Sequence, residues 1–400
     1  MVLAIPNQAE AQSVYACALD RTSLQGSVVM ERSAMTDADV PVLNYARFGP
    51  NGKIVGVDRT AEQVVVLNDD LSFDRNIGRA GQGPGEYGTP MAAVMDEHGR
   101  VFVADQGSIG SIIAYGKDGT FLSENRLPPY LTPVDLAADG DLVYLAGSVT
   151  FLFGPTSPRP VLVGYDPATG ESEVLLRQMP EWFGRPPVYE NPLVTLIPRV
   201  GPSGELYVGF VEGYEIWKVT GPDQYEVVVR GCVPDRALAA YRGDDAPRIE
   251  ELPPGVRLPT TGVRRSFQLL RDFVVLPGGR ILVRSGLFVD GSGRRSLELF
   301  SSDGELMAAW ALGPANALSG WPTMNPYDPA EHLDWAPFEG VTRLVRFPAL
   351  TGRSVSLLPD PRVQRPFSRR LTFARTAVGL LATMVLLWMA GRLLRRWVVS

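Results

Sequence analysis

A strand-turn-strand phrase recurs along this chain of 400 residues and restricts the folds open to it. An apolar run meets a tight Gly turn, a Val/Ile/Tyr-rich strand follows, and a second Asp/Gly turn closes the unit. The first copy runs from Arg47 through Gly52 to Asp58, then continues with Val64, Val65, Val66 and Leu67 to Asp70. Later copies turn at Glu97-His98-Gly99, Ala138-Asp139-Gly140, Pro202-Ser203-Gly204 and Pro277-Gly278-Gly279. Their partner turns are Lys117-Asp118-Gly119, Pro167-Ala168-Thr169-Gly170, Gly221-Pro222-Asp223 and Ser302-Asp303-Gly304. Short strands in fours, repeating at roughly 40 to 50 residues, predict a radial β-propeller. The length is compatible with one such domain, because each blade packs only on its neighbours and the core need not grow as a single mass.

The turns place blade cores at 42–78, 90–127, 131–176, 193–232 and 266–312. A sixth blade belongs near 315–360, where only 341–347 and 353–358 read as strands, so it is expected to be irregular or incomplete. The expected fold is therefore all-β, a six-bladed propeller with five clear blades and a C-terminal hydrophobic helix. A strand around 27–32 is expected to pair with the last blade and close the ring, removing an exposed edge. The domain plan is 1–26 as an N-terminal segment or remnant of an export signal, 27–360 as the propeller, 361–375 as a basic linker and 376–394 as a membrane helix. Residues 376–391 are uncharged and flanked by Arg375 and Arg392, Arg395 and Arg396; snorkelling arginines extend such a segment toward the ~20 residues a span needs. Basic residues on both sides leave its orientation open. An Arg-rich, acid-free tail is also what a shifted reading frame would produce.

Charge narrows the partners. Eight of the 38 basic residues follow Pro361 and no acid does, so the body carries 30 basic against 44 acidic groups. A net charge near −14 argues against non-specific nucleic-acid binding. Only Lys53, Lys117 and Lys218 are lysines, which reads as the coding bias of a GC-rich bacterial genome. Cys17 and Cys232 form no metal-ligand cluster, and the two histidines, His98 in a hairpin turn and His332 in a Pro-rich stretch, are too few for a His-based zinc site or a Ser/His/Asp triad with support around it. Carboxylates remain: Asp58 and Asp105 end equivalent strands of consecutive blades. They either bond neighbouring amides or face the channel and hold Ca²⁺.

The segment Gly78-Arg79-Ala80-Gly81-Gln82-Gly83-Pro84-Gly85-Glu86-Tyr87, with the strand endings Val57-Asp58 and Val103-Ala104-Asp105, resembles the bacterial six-bladed β-propeller family related to NHL repeats. The likeness spans about 27–312. It implies an exported binding or scaffold module without a defined reaction. Within the segment, the glycines are expected to supply consecutive positive φ angles, and Glu86 to pair with Arg79 or cap a turn. No Gly-Lys-Ser/Thr follows, so it is not read as a phosphate loop.

The leading expectation is thus a non-enzymatic module that needs no cofactor and recognises a protein, peptide or glycan at a loop face. It would be held on the periplasmic or extracellular side of a bacterial cell membrane by the C-terminal helix. The alternative is a Ca²⁺-dependent hydrolase or lactonase using Asp58 and Asp105. Long excursions at 177–191 and 234–265 are natural binding loops. Arg79, Glu86, Tyr87, Trp182 and Arg185 are the expected partner surface, since Trp, Tyr and Arg dominate interface hot spots.

Overall fold

The computed structural model describes residues 27–28, 31–35, 42–107, 110–127, 131–150, 161–177, 193–211, 214–230, 270–285, 296–312, 321–328, 331–336 and 341–346. Regular structure among them is strand throughout, apart from single 3₁₀ turns at Pro50–Gly52 and Pro277–Gly279. Five antiparallel sheets fall where the turns put them. The first holds Tyr45–Phe48, Ile54–Asp58, Gln63–Leu67 and Phe73–Asn76; the second holds Pro90–Met95, Val101–Asp105, Ser111–Tyr115 and Phe121–Arg126. The third holds Thr132–Asp139, Leu142–Thr150, Leu162–Tyr165 and Ser172–Leu176, and the fourth Leu196–Val200, Leu206–Phe210, Glu215–Gly221 and Gln224–Arg230. The fifth holds Leu270–Val275, Ile281–Ser285, Ser296–Phe300 and Leu306–Leu312. Leu193–Val194, expected in the fourth, pairs instead with the end of Leu142–Thr150 in the third.

The last sheet differs from expectation. Trp321–Met324, Glu331–Ala336 and Val341–Arg346 pair in succession, and Glu31–Met35 joins Val341–Arg346 as the fourth strand. Among the described residues this sheet has four strands, one of them supplied by the chain's N-terminal part. Just before it, Ser27–Val28 lies parallel to Leu306–Leu312 of the fifth sheet, so the closing segment grips two sheets. The first strand of every sheet touches the first strand of the next, and Trp321–Met324 touches Tyr45–Phe48. These strands therefore form a closed inner ring, which makes the architecture a β-propeller.

Burial follows from that ring. Val101–Asp105 and Ser111–Tyr115 are buried along their whole length, whereas the outer strand Phe121–Arg126 is largely exposed. A blade's inner strands have a neighbouring blade on each face, so their apolar residues run on instead of alternating, each contributing roughly 1.5–3 kcal/mol when fully buried.

The seams are set by turns. The Asp223 amide donates to the Leu175 carbonyl at 2.8 Å, joining a turn of the fourth sheet to the outer strand of the third. Gly304, at φ 81°, brings the corresponding turn of the fifth sheet against Val228 so closely that a Cβ would fall 2.2 Å from the Val228 carbonyl oxygen.

The helix at 376–394 and the linker at 361–375 lie outside the described residues, as do 353–358, Cys17, Cys232 and both long excursions. Among the described residues no helix is long and apolar enough to cross a membrane.

Candidate functional site

Charged side chains meet at the inner ring. Arg47 and Arg199 stand two residues before the turn glycines Gly49 and Gly201, in the inner strands of the first and fourth sheets, and Asp135 and Asp272 lie in those of the third and fifth. Arg47 reaches past the second sheet to grip Asp135 with two donors, Nε to Oδ1 at 3.1 Å and Nη2 to Oδ2 at 2.6 Å. The Tyr45 hydroxyl donates to the same Oδ1 at 2.6 Å. Arg199 bridges both carboxylates, donating from Nη1 to Asp135 Oδ2 at 3.1 Å and from Nε to Asp272 Oδ1 at 3.0 Å. Asp272 Oδ2 accepts the Met324 amide at 2.7 Å, which ties the last sheet into the network.

Two guanidinium groups thus balance two carboxylates, all largely buried. Burial opposes the charge of Asp135, but Arg47 and Arg199 outweigh it and hold the carboxyl below its ordinary range. Burial likewise opposes the Arg47 charge and Asp135 more than restores it, while the Tyr45 phenol, pushed up chiefly by burial, stays protonated. Balanced buried charges with their hydrogen bonds spent serve geometry: they fix how several blades face one another across the ring. Sequence reading passed over all four. The usable signal was a charge inside an otherwise apolar inner strand, at the same distance from the turn in Arg47 and Arg199.

The glycine-rich segment is built around Glu86. Arg79 pairs with its Oε1 at 2.6 Å, and the amides of Gln82 and Gly83 donate to Oε2 at 2.9 and 2.8 Å. The Gly83 amide and Arg79 lower the carboxyl's pKa. The expectation of consecutive positive φ angles fails: in this segment only Gly78 and Gly85 have them. Gly81 is needed for another reason, because a Cβ there would lie 2.0 Å from Glu86 Oε2.

Tyr87 corrects a further expectation. It is buried, its hydroxyl donating to the Ile77 carbonyl at 3.0 Å and accepting the Val64 amide at 3.1 Å, so it anchors the segment to the first sheet and offers nothing to a partner. Tyr87→Phe is expected to leave both backbone groups unpaired and to cost about 1–3 kcal/mol, read as a lower urea midpoint. An unchanged midpoint would mean that water replaces the hydroxyl. Arg79 remains exposed and Glu86 is mostly covered, while Trp182 and Arg185 lie outside the described residues.

Asp58 and Asp105 occupy equivalent strand ends and do equivalent work. Asp58 Oδ1 accepts the amides of Thr60 and Ala61 at 2.8 and 2.9 Å; Asp105 accepts those of Thr89 and Gly107 at 2.5 and 3.1 Å. Each turns the chain out of a strand. Among the described residues no group of three His, Cys, Asp or Glu could hold a metal. His98 sits in its predicted turn, its amide on Asp96, whereas His332 lies in a strand opposite Met324.

One of the similar solved structures shares the fold. A member of the DUF4221 family from Bacteroides vulgatus superposes with a TM-score of 0.51 at 12% identity, over 81% of this chain and 98% of that one. A structural genomics protein of unknown function from Bacteroides thetaiotaomicron gives 0.45 at 14% identity, covering 81% and 74%. Virginiamycin B lyase from Staphylococcus aureus gives 0.45 at 10%, covering 80% and 99%. Likeness at such identities concerns the fold alone. No curated protein matches the sequence. Residues 49–149 match the model of the DUF5128 family, described as a 6-bladed beta-propeller; the ring of inner strands is likewise a β-propeller.

Proposed function

We propose that this chain is a six-bladed propeller acting as a non-enzymatic binding or scaffold module, which recognises a protein, peptide or glycan at a loop face. One observation carries the reading: among the described residues, the strand-end and inner-ring carboxylates are already spent. Asp58 and Asp105 hold backbone amides, and Asp135 and Asp272 neutralise Arg47 and Arg199 across the ring. A Ca²⁺-dependent hydrolase needs converging carboxylates with free lone pairs. A ring whose inner charges are already paired leaves the loops and the grooves between blades for recognition. The exposed guanidinium of Arg79 is one contact on that face, and Trp182 and Arg185 are proposed as others. Export, with anchoring in a bacterial cell membrane by 376–394, belongs to the same proposal.

The test combines calorimetric Ca²⁺ titration, turnover of a lactone and ester panel, and probing of peptide and glycan arrays. Saturable array binding with no Ca²⁺ uptake and no turnover is expected. Stoichiometric Ca²⁺ binding and hydrolysis, both abolished by Asp58→Asn with Asp105→Asn, would establish the hydrolase instead.

A further inference from the structure

A groove of about 330 Å³ opens between the fourth and fifth sheets, at the end of the blades where the Pro202-Ser203-Gly204 and Pro277-Gly278-Gly279 turns lie. One wall is a transverse row on the fourth sheet: Tyr207 faces Lys218 and Lys218 faces Glu226 in register. Glu205 stands beside the row, its Oε1 3.8 Å from Lys218 Nζ. The ammonium lies 5.8 Å from the centre of the Tyr207 ring. Val275 and Leu276 form the apolar part of the opposite wall, and Gly278 leaves open space where a side chain would otherwise stand.

One ammonium faces two carboxylates here, so the groove carries an excess negative charge. Tyr207, only 4% exposed, is part of the lining. Burial, and then Glu205 and Glu226, push its phenol up to about 12, so at neutral pH it keeps its proton.

We propose that this groove receives a basic side chain, of the lysine or arginine class, from a protein or peptide partner. The aliphatic stem lies along Val275 and Leu276, and the cationic head meets the carboxylates of Glu205 and Glu226. An anion is disfavoured because Lys218 is outnumbered, and a bare metal ion because Lys218 lies between the two carboxylates. The acidic body, near −14, steers cationic partners toward this face. The proposal rests on the binding reading above and names its partner.

Saturation-transfer NMR on the full chain with Nα-acetyl-arginine amide, Nα-acetyl-lysine amide and the uncharged Nα-acetyl-citrulline amide tests it. The two cations are expected to bind, citrulline about tenfold more weakly, and Glu205→Gln with Glu226→Gln to weaken the cations by about tenfold or more. Both glutamates are accessible to solvent, and an unchanged melting temperature would confirm that the double variant folds. Equal binding of citrulline and arginine, or cation binding untouched by the double variant, would overturn the proposal. So would a neutral oligosaccharide that occupies the groove in their place. An array partner bound equally well by the double variant sinks this inference and spares the binding reading; blank arrays alongside cation binding do the reverse.

Discussion

Asp135→Asn is expected to lower the unfolding free energy by about 3–5 kcal/mol, because the guanidinium groups of Arg47 and Arg199 would then lie buried without their shared counter-charge. Against a total of about 5–15 kcal/mol for an ordinary domain, that is a change in kind. Urea titration reads it as a fall in midpoint at constant slope. A loss below about 1 kcal/mol would mean that solvent reaches the ring interior and that the network is held loosely. The same carboxylate carries a pH signature. Its folded pKa is depressed, so its contribution is fully present above the unfolded value of about 3.9 and disappears as pH falls through the folded value. Wild-type stability should therefore drop with acid below about pH 4, and the variant should lack that part of the slope.

Gly304→Ala is expected to be the other severe change, and Gly278→Ala is its control. Both glycines have left-handed backbones, at φ 81° and 79°, so alanine strains each by roughly 1–3 kcal/mol. Only at Gly304 does the added methyl meet a neighbouring blade, 2.2 Å from the Val228 carbonyl oxygen, while at Gly278 nothing lies within 4 Å. Rigid backbone cannot yield as a side-chain tip does. The difference between the two melting curves should amount to at least about 1–2 kcal/mol and measures the seam between the fourth and fifth sheets. Equal losses would show that this seam tolerates separation.

Most of the sheet pattern was legible in the sequence because turns are local. Gly99, Gly119, Gly170, Gly204 and Gly304 all take the positive φ that tight turns require, and each marks its hairpin by residue type and spacing alone. The last sheet was not legible. Trp321–Met324 and Glu331–Ala336 contain Pro, His and acidic residues in place of a β-branched run, and their fourth strand comes from Glu31–Met35, about 300 residues earlier in the chain. The burial of Tyr87 was not legible for a similar reason. Whether Tyr87 faces solvent or the Ile77 carbonyl depends on a contact that no hexapeptide window contains.

The sequence by itself determined the repeat and the turn geometry, since both follow from residue type and short spacing. Tertiary structure alone decided which charges meet. Arg47, Asp135, Arg199 and Asp272 are separated by 64 to 88 positions along the chain where they pair, and they become partners only once the inner strands close into a ring. It also decided that Glu86 serves its own loop and that Tyr207 lines a groove between blades. Propensity acts over a turn or a strand, whereas ring closure sets distances between blades, and electrostatic pairing depends on those distances.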